Sequence, residues 1–399
     1  MNGKRIQSPG DGWSGLPSEA SPPAPLHGVE RGGARSQGKG LRKVVFPLST
    51  PWRGGQGVRP RRAGRPQGSV RSVALLLLPN WIGGHSTLHS HGVQAARIEN
   101  LWWLLFWICS AVFVAVMVAT GIAITRKSLP TASPAGPIPP QSQRRMTRAI
   151  AGAVGATVLL LFVLLFASVS TSRAVASLGA SKATVIKVTG HQWWWAVEYQ
   201  DPNPSRMVTT ANEIHIPAGR PVLIQLSSAD VIHSFWVPSL HGKRDLIPGH
   251  DSAIWIQADR PGVYRGLCAE FCGHQHAHMD FLVIADPPDR YGAWYNAQLR
   301  TSTTPATPSQ QYGRQLFESG SCAVCHTIQG TDANGKLGPD LTHLASRRTL
   351  AAAILPNTRG NLGGWIVDPQ SLKPGSYMPA NNLKPDELQA MLDYLGSLQ

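Results

Sequence analysis

The sequence predicts a multidomain membrane protein, in which a two-helix transmembrane hairpin is followed by a β-sandwich and a small all-α domain. Three observations predict this architecture. Two almost wholly apolar runs, at 101–125 and 149–168, are each long enough to cross a bilayer. Short β-rich segments separated by turns follow from about Ala183. The remainder of the chain, 310–399, carries a C-x-x-C-H motif, which is typical of covalent haem attachment.

The first predicted region, residues 1–93, is a basic tail. Residues 1–73 hold 13 of the 37 Lys and Arg residues against three acidic residues, and so supply most of the net charge of +15. Their Gly, Pro and Arg content, without apolar periodicity, predicts disorder. The tail has no interleaved aromatic pattern and no recognisable binding fold, so we expect no nucleic-acid partner. Because 71–78 resembles a short signal peptide, we expect either that the tail is cleaved or that the true start lies downstream.

The second predicted region, 94–172, is the transmembrane hairpin. Trp102 and Trp103 stand at the start of the first apolar run, where they fit an interfacial aromatic belt. The loop between the two runs is basic and contains no acidic residue, so the positive-inside rule places it in the cytoplasm and both flanks outside. Cys109 lies within the first run, and we expect it to act as a small hydrophobic residue.

The third predicted region, 183–288, is the sandwich. Four β-rich runs and the intervening turns imply short strands in an antiparallel arrangement. These runs are 184–189, 221–226, 253–257 and 281–285. The fourth region, 289–309, is predicted to contain a short helix at 289–299 and a Ser/Thr/Pro linker at 301–309, which is flexible to semi-rigid.

A metal site is predicted within residues 268–279. Two cysteines four residues apart are followed by three histidines and a methionine, all within twelve residues. Thiolate, imidazole and thioether together suit copper better than zinc. Spacing alone does not decide which imidazole binds, and it supplies no second histidine upstream. The candidates are Cys268, Cys272, His274, His276, His278 and Met279.

A second site is predicted in the last region, 310–399. Cys322 and Cys325 would form the thioethers of a haem c, with His326 as the proximal ligand. Met378 is the best candidate for the sixth iron ligand, whereas Met391 is expected in the core.

The first and last helices of this region are expected to pack against each other. The final helix is predicted to begin near residues 385–387, because a proline and two acids suit a first helical turn. Phe317 and Tyr394 are expected to pack the first helix of the domain against this final helix.

The stretch from about 94 to 286 closely resembles cytochrome c oxidase subunit II. The matching segments are 95–103, 190–195, 230–240 and the cysteine loop. With the haem motif, the chain resembles the fused subunit II of caa-type haem-copper oxidases. The resemblance implies that the sandwich is cupredoxin-like and that the all-α region is a cytochrome c domain.

The resemblance also implies roles for individual residues. It leaves His274 and His278 as flanking residues, and it gives Trp193 a role in passing electrons toward copper. The Glu270 side chain is similar to one that binds magnesium at the interface with subunit I. The implied ligands of a dinuclear copper centre are His233, Cys268, Glu270 through its backbone carbonyl, Cys272, His276 and Met279.

The function implied is that of the subunit through which electrons enter a proton-translocating terminal oxidase. Electrons would pass from cytochrome c, or another periplasmic donor, through haem c and copper to the haem-copper subunit I, which reduces oxygen to water. The expected partners are subunit I, subunit III and the lipid bilayer, with both metal domains on the outer face of a bacterial cell membrane.

One departure from the family and two alternatives accompany this expectation. Residues 101–196 contain no Asp or Glu, so the family's usual glutamate at the start of the second membrane helix is missing, and proton uptake by that route is in doubt. The copper domain of a nitrous oxide reductase would not explain the two membrane helices and the haem motif. A free-standing membrane-anchored electron carrier is the alternative from another functional class. A quinol oxidase subunit II would lack the copper ligands.

Overall fold

The computed structural model describes residues 86–126, 140–176 and 184–399. The predictions for the basic tail, for the signal-like segment 71–78 and for the middle of the basic loop lie outside the described residues.

Two long helices precede the sandwich. Helix α1 spans Val93–Thr125 and helix α2 spans Pro140–Ala176. Both are long and apolar enough to cross a membrane, as judged by length and composition. Each helix extends beyond its apolar run, and α1 begins eight residues earlier than the run at 101–125.

The early start of α1 belongs to a segment that packs on the sandwich, the strap (residues 90–95). The His91 amide donates to the Ser239 carbonyl at 2.7 Å, and the Ala95 amide donates to the Leu240 carbonyl at 3.2 Å. The side chain of Ala95 is buried. The first turn of α1 is therefore fastened to the sandwich by backbone hydrogen bonds.

Ten strands form the sandwich, in two five-stranded sheets. One sheet has the order β3-β2-β1-β5-β8 and the other β4-β10-β9-β6-β7. In β1, side chains alternate between core and surface, with Ile186 and Val188 fully buried. The strands are β1 Thr184–His191, β2 Trp194–Gln200, β3 Val208–Ala211, β4 Glu213–Pro217, β5 Val222–Ser228, β6 His233–Trp236, β7 Arg244–Leu246, β8 Ser252–Ile256, β9 Gly262–Cys268 and β10 Asp280–Asp286.

The expectation of a wholly antiparallel sandwich is wrong for two strand pairs. β1 pairs with β5 in parallel, with Val185 opposite Leu223, and β4 pairs with β10 in parallel, with Ile214 opposite Val283. Parallel neighbours need a crossover connection. Here the chain supplies it by moving into the second sheet at β4 before it returns to the first at β5. The other pairings within the two sheets are antiparallel.

The C-terminal domain is helical apart from one pair of two-residue strands. Its first and last helices cross closely, and the Phe317 and Tyr394 rings meet edge to face at 6.2 Å, as predicted. Met391 is buried in the core, also as predicted. After α3 (Pro288–Gln298), the elements are α4 Pro308–Ser319, α5 Cys322–Cys325, β11 Thr349–Leu350, β12 Leu355–Pro356, α6 Arg359–Val367, α7 Pro369–Leu372 and α8 Pro385–Leu395.

The segment between α3 and α4 lies along the C-terminal domain. The Ser302 amide donates to the Gln329 carbonyl at 3.0 Å, and the Thr303 hydroxyl donates to the Ser397 carbonyl at 3.3 Å. These bonds hold the predicted linker against the domain that it introduces.

Candidate metal centres

Five side-chain donors and one carbonyl converge at one end of the sandwich. β9 ends at Cys268, and the loop that follows returns the chain to β10 after Met279. The Sγ atoms of Cys268 and Cys272 are 3.7 Å apart. Beside Cys268 lie His233 Nδ1 at 3.8 Å and the Glu270 carbonyl oxygen at 3.2 Å. The first half of the predicted ligand set is therefore assembled around one thiol.

The second half surrounds the other thiol. His276 Nδ1 lies 3.6 Å from Cys272 Sγ, and Met279 Sδ lies 3.7 Å from the same atom. His233 reaches the group from β6, a strand of the same sheet. The ligand atoms of His233, Cys268 and Cys272 all lie within 4.8 Å of one another, and the three residues are buried.

The orientation of His233 is fixed by Asp230, a residue that sequence reasoning missed. His233 Nε2 lies 2.7 Å from an Asp230 carboxylate oxygen. An ionised carboxylate only accepts, so Nε2 carries a proton, and Nδ1 is the nitrogen that faces the thiols. Gly190 makes room for this ring, because a Cβ there would lie 2.8 Å from His233 Cδ2. A carboxylate three residues before the ligand is the signal that could have identified Asp230.

Without a metal, these groups hold protons that a bound cation would displace. Burial disfavours the charged His233 ring, but hydrogen bonds to Cys268 and Asp230 outweigh burial and raise the pKa of His233, so a metal ion that binds Nδ1 would displace a proton. The Cys272 thiol hydrogen-bonds to the Cys268 thiolate, which lowers the pKa of Cys268 and raises that of Cys272. Without a metal, the pair thus shares one negative charge, and a bound cation would favour the second thiolate.

Two other polar side chains of this loop have partners outside the donor group. His278 Nδ1 is 2.8 Å from the Gln275 side-chain oxygen. The Glu270 carboxylate is on the surface, 3.4 Å from Lys243 Nζ, although its carbonyl faces Cys268. The backbone and the side chain of Glu270 therefore face two different environments.

The haem motif forms the short helix α5 and the residue after it. His326 Nδ1 lies 2.7 Å from the Pro339 carbonyl oxygen. A carbonyl accepts, so Nδ1 carries the proton and Nε2 is left with a lone pair for iron. Burial lowers the pKa of His326, which favours the neutral, ligating ring. Met378 is half-buried, and its carbonyl accepts from the Gln370 side chain at 3.0 Å.

Trp193 lies against the copper loop (residues 268–279) and is almost fully buried. Its indole N–H donates to the Cys272 carbonyl at 2.9 Å, and the Gln192 side chain donates to the same oxygen at 2.7 Å. Tyr377 and Lys373 of the C-terminal domain also contact Trp193. Sequence reasoning missed Gln192, Tyr377 and Lys373, because no local pattern indicates contacts across about 180 residues.

Both the sandwich and the C-terminal domain are similar to known protein families. The family model for the periplasmic domain of cytochrome c oxidase subunit II matches residues 184–285, and that for cytochrome c matches residues 310–399. Cytochrome c oxidase subunit 2 of Bacillus sp. (strain PS3) is 31% identical over 261 residues, which cover 61% of this chain and 72% of the relative. The chain belongs to the cytochrome c oxidase subunit 2 family. Its two matched domains imply copper and haem binding.

Other members of the cytochrome c oxidase subunit 2 family are also similar. That of Alkalihalophilus pseudofirmus is 42% identical over 215 residues, 54% of this chain, and the matched part spans 61% of that relative's length. The solved periplasmic domain of subunit II (CoxB) of Bradyrhizobium japonicum is 29% identical. The match covers 30% of this chain and 96% of the solved domain, with a TM-score of 0.28.

Proposed function

We propose that this chain is the subunit through which electrons enter a terminal cytochrome c oxidase. The observation that carries the proposal is the convergence of the six expected donors, in a chain that also holds a C-x-x-C-H motif on a packed cytochrome domain. Electrons from cytochrome c, or another external donor, would reach the cytochrome domain, then the copper loop, and finally subunit I, where oxygen is reduced.

The copper loop would hold two copper ions. The proposed ligands are His233, Cys268, Cys272, His276, Met279 and the Glu270 carbonyl, and their soft donor chemistry fits copper. The bound copper ions would supply a one-electron centre whose charge change is shared between the two ions. Asp230 would hold His233 in the ligating tautomer. The rigid sandwich would keep the donor geometry similar in both oxidation states.

The cytochrome domain would hold one covalent haem. Cys322 and Cys325 are free thiols, as thioether formation requires, and His326 presents Nε2 because Nδ1 is bound to the Pro339 carbonyl. The haem would supply a one-electron iron centre. Met378 is proposed as the sixth ligand, which would raise the iron potential and block oxygen binding.

The proposed setting is a bacterial cell membrane. Helices α1 and α2 would cross it, and both metal domains would face the periplasm. Subunit I and subunit III are the proposed partners. The exposed Glu270 carboxylate could meet subunit I and contribute to a magnesium site there.

Two measurements on the purified chain test this proposal. Metal and pyridine haemochrome analysis should give two coppers and one covalent haem per chain. Affinity purification from the native host should recover a large haem-copper subunit with the chain. Zinc in place of copper would contradict the metal assignment. Both cofactors without a haem-copper subunit would instead indicate a free-standing electron carrier.

A further inference from the structure

The cytochrome domain is docked on the copper domain through a buried carboxylate. Glu213, at the start of β4, is only 4% exposed. Its oxygens accept from the Arg348 amide at 2.9 Å and from both the amide and the hydroxyl of Thr349 at 2.8 Å. A buried carboxylate is unfavourable unless its oxygens are hydrogen-bonded. Since the other domain supplies these bonds, the interface favours one docked position.

A buried lysine of the cytochrome domain also stabilises this interface. Lys373 belongs to the cytochrome domain and is only 3% exposed. Its Nζ donates to the Trp193 carbonyl of the copper domain at 2.8 Å and to the Ala351 carbonyl at 3.3 Å. Lys373 begins the docking loop (residues 373–377), which therefore has a fixed position beside the copper loop.

Tyr377 ends the docking loop and lies over Trp193. The two rings are stacked with a centroid distance of 5.5 Å and an interplanar angle of 22°. The Tyr377 hydroxyl donates to the Gln192 side-chain oxygen at 2.8 Å. Gln192 and Trp193 both donate to the carbonyl of Cys272, a proposed copper ligand. A single residue, either Gln192 or Trp193, therefore lies between Tyr377 and the backbone of that ligand.

The two stacked rings differ in their access to the surroundings. Trp193 is 6% exposed, whereas Tyr377 is 73% exposed. In this docked position, another protein would meet Tyr377 before it could reach Trp193. Tyr377 also directly precedes Met378, the proposed iron ligand. It therefore joins the proposed haem-ligand segment to the copper loop.

We propose that Tyr377 is the contact through which the cytochrome domain passes electrons to the copper loop by way of Trp193. This inference rests on the proposed function. One electron would pass from iron(II) in the cytochrome domain to the copper centre. The iron would become iron(III), the copper centre would be reduced by one electron, and no covalent bond would form or break. The ring of Tyr377 acts through its close and nearly parallel position on Trp193, which the ring stacking and the Lys373 anchor of the docking loop maintain.

The test compares Tyr377→Leu, which removes the ring, with Tyr377→Phe, which keeps it. Tyr312→Leu, at a partly exposed tyrosine on α4, is the matched control. Photoreduction of the haem in the full loaded chain gives the rate of haem-to-copper transfer. We expect Tyr377→Leu to slow this rate between about tenfold and a hundredfold, the loss typical of displaced reacting groups. Tyr377→Phe and Tyr312→Leu should stay close to wild type.

Hydrogen exchange of residues 190–195 and the two reduction potentials are measured on the same proteins. Slow transfer in Tyr377→Leu with unchanged exchange and potentials supports the ring as the contact. Unchanged transfer in Tyr377→Leu, equal slowing in Tyr377→Phe, or slowing only with faster exchange at 190–195 would each overturn it. Absence of copper or haem from the wild-type chain would instead contradict the proposed function.

Discussion

Cys272 occupies the centre of the proposed copper ligands, since its sulfur contacts Cys268, His276 and Met279. Serine has no soft thiolate to bridge two copper ions. We therefore expect Cys272→Ser to abolish the mixed-valence copper signal in paramagnetic resonance and to leave the haem absorbance intact.

The lone cysteine of α1 provides the control for this substitution. Cys109 is exposed on the helix, far along the chain from both motifs. Cys109→Ser should keep both the copper signal and the haem absorbance. A native copper spectrum in Cys272→Ser would remove Cys272 from the ligand set.

Met378 is expected to keep the sixth position of the haem iron closed. Met378→Ala should leave the haem attached, because Cys322 and Cys325 carry the covalent bonds. It should lower the iron potential and allow carbon monoxide to bind the reduced haem. Redox titration and carbon monoxide difference spectra measure both effects.

The comparison variant is Met391→Leu, at a methionine buried in the core of the same domain. A swap of similar volume should cost less than about 1.5 kcal/mol and leave the haem potential unchanged. If Met378→Ala kept its potential and bound no carbon monoxide, another residue would be the ligand.

Sequence could identify the donors of the copper loop only in part. Residue types predicted a soft-metal site, but three histidines alternate along the loop and spacing could not choose among them. The resemblance to a known family selected His276 and added His233, which lies 35 residues before Cys268. Asp230 and Tyr377 were missed because their contacts depend on how distant segments meet after folding.

The crossing of α4 and α8 requires a glycine. A Cβ at Gly313 would lie 2.1 Å from the Ala390 carbonyl oxygen, so the two helices could not keep their separation. We expect Gly313→Ala to destabilise the cytochrome domain by about 1–3 kcal/mol or more. Thermal unfolding followed by haem absorbance should show this loss, while the copper signal of the sandwich is retained.

A second glycine of this domain tests whether the effect is steric. Gly364 lies in α6 with no atom within 4 Å of the position that a Cβ would occupy. Gly364→Ala should stabilise the helix by up to about 1 kcal/mol. Equal unfolding temperatures for the two variants would contradict the close crossing at Gly313.

The docking loop gives the interface a pH dependence. Burial lowers the pKa of Lys373 from its ordinary value of 10.5 to about 7. Between these two values the unfolded chain binds more protons than the folded chain, so stability should rise with pH across this window. Lys373→Met should flatten the rise in the free energy of unfolding, measured by urea titration between pH 7 and pH 10.5.

Lys384→Met is the control for this pH effect. Lys384 is largely exposed and pairs only with nearby Glu387 among its ion pairs in the described part of the chain. This variant should retain the wild-type rise in stability. Curves for Lys373→Met that run parallel to the wild type would contradict the burial of a neutral lysine.

The strands were predictable where β-branched or apolar residues form a short, nearly continuous run. β1, β5, β8 and β10 were expected within two residues of their observed ends. β6 and β7 are short, and β7 carries charged residues, so neither produces a long apolar pattern. The direction of neighbouring strands is set by crossovers between sheets, which a local pattern does not contain.

The charge of the chain predicts its orientation in a membrane. The segment between the two apolar helices is basic and free of acidic residues, which predicts a cytoplasmic location. A reporter that is active only in the cytoplasm should therefore work when inserted near Ala135 and fail when attached at Gln399. The reverse pattern would overturn both the orientation and the periplasmic location of the metal domains.

The strap has a consequence for how the copper domain is aimed. Its hydrogen bonds join the first turn of α1 to the sandwich, so helix and sandwich turn as one body at that junction. Each residue added to a helix rotates its two ends by about 100° and separates them by about 1.5 Å. One inserted residue midway along α1 would therefore redirect Glu270 to another side of the helix axis. The length of α1 therefore sets the direction in which the copper domain faces about the helix axis.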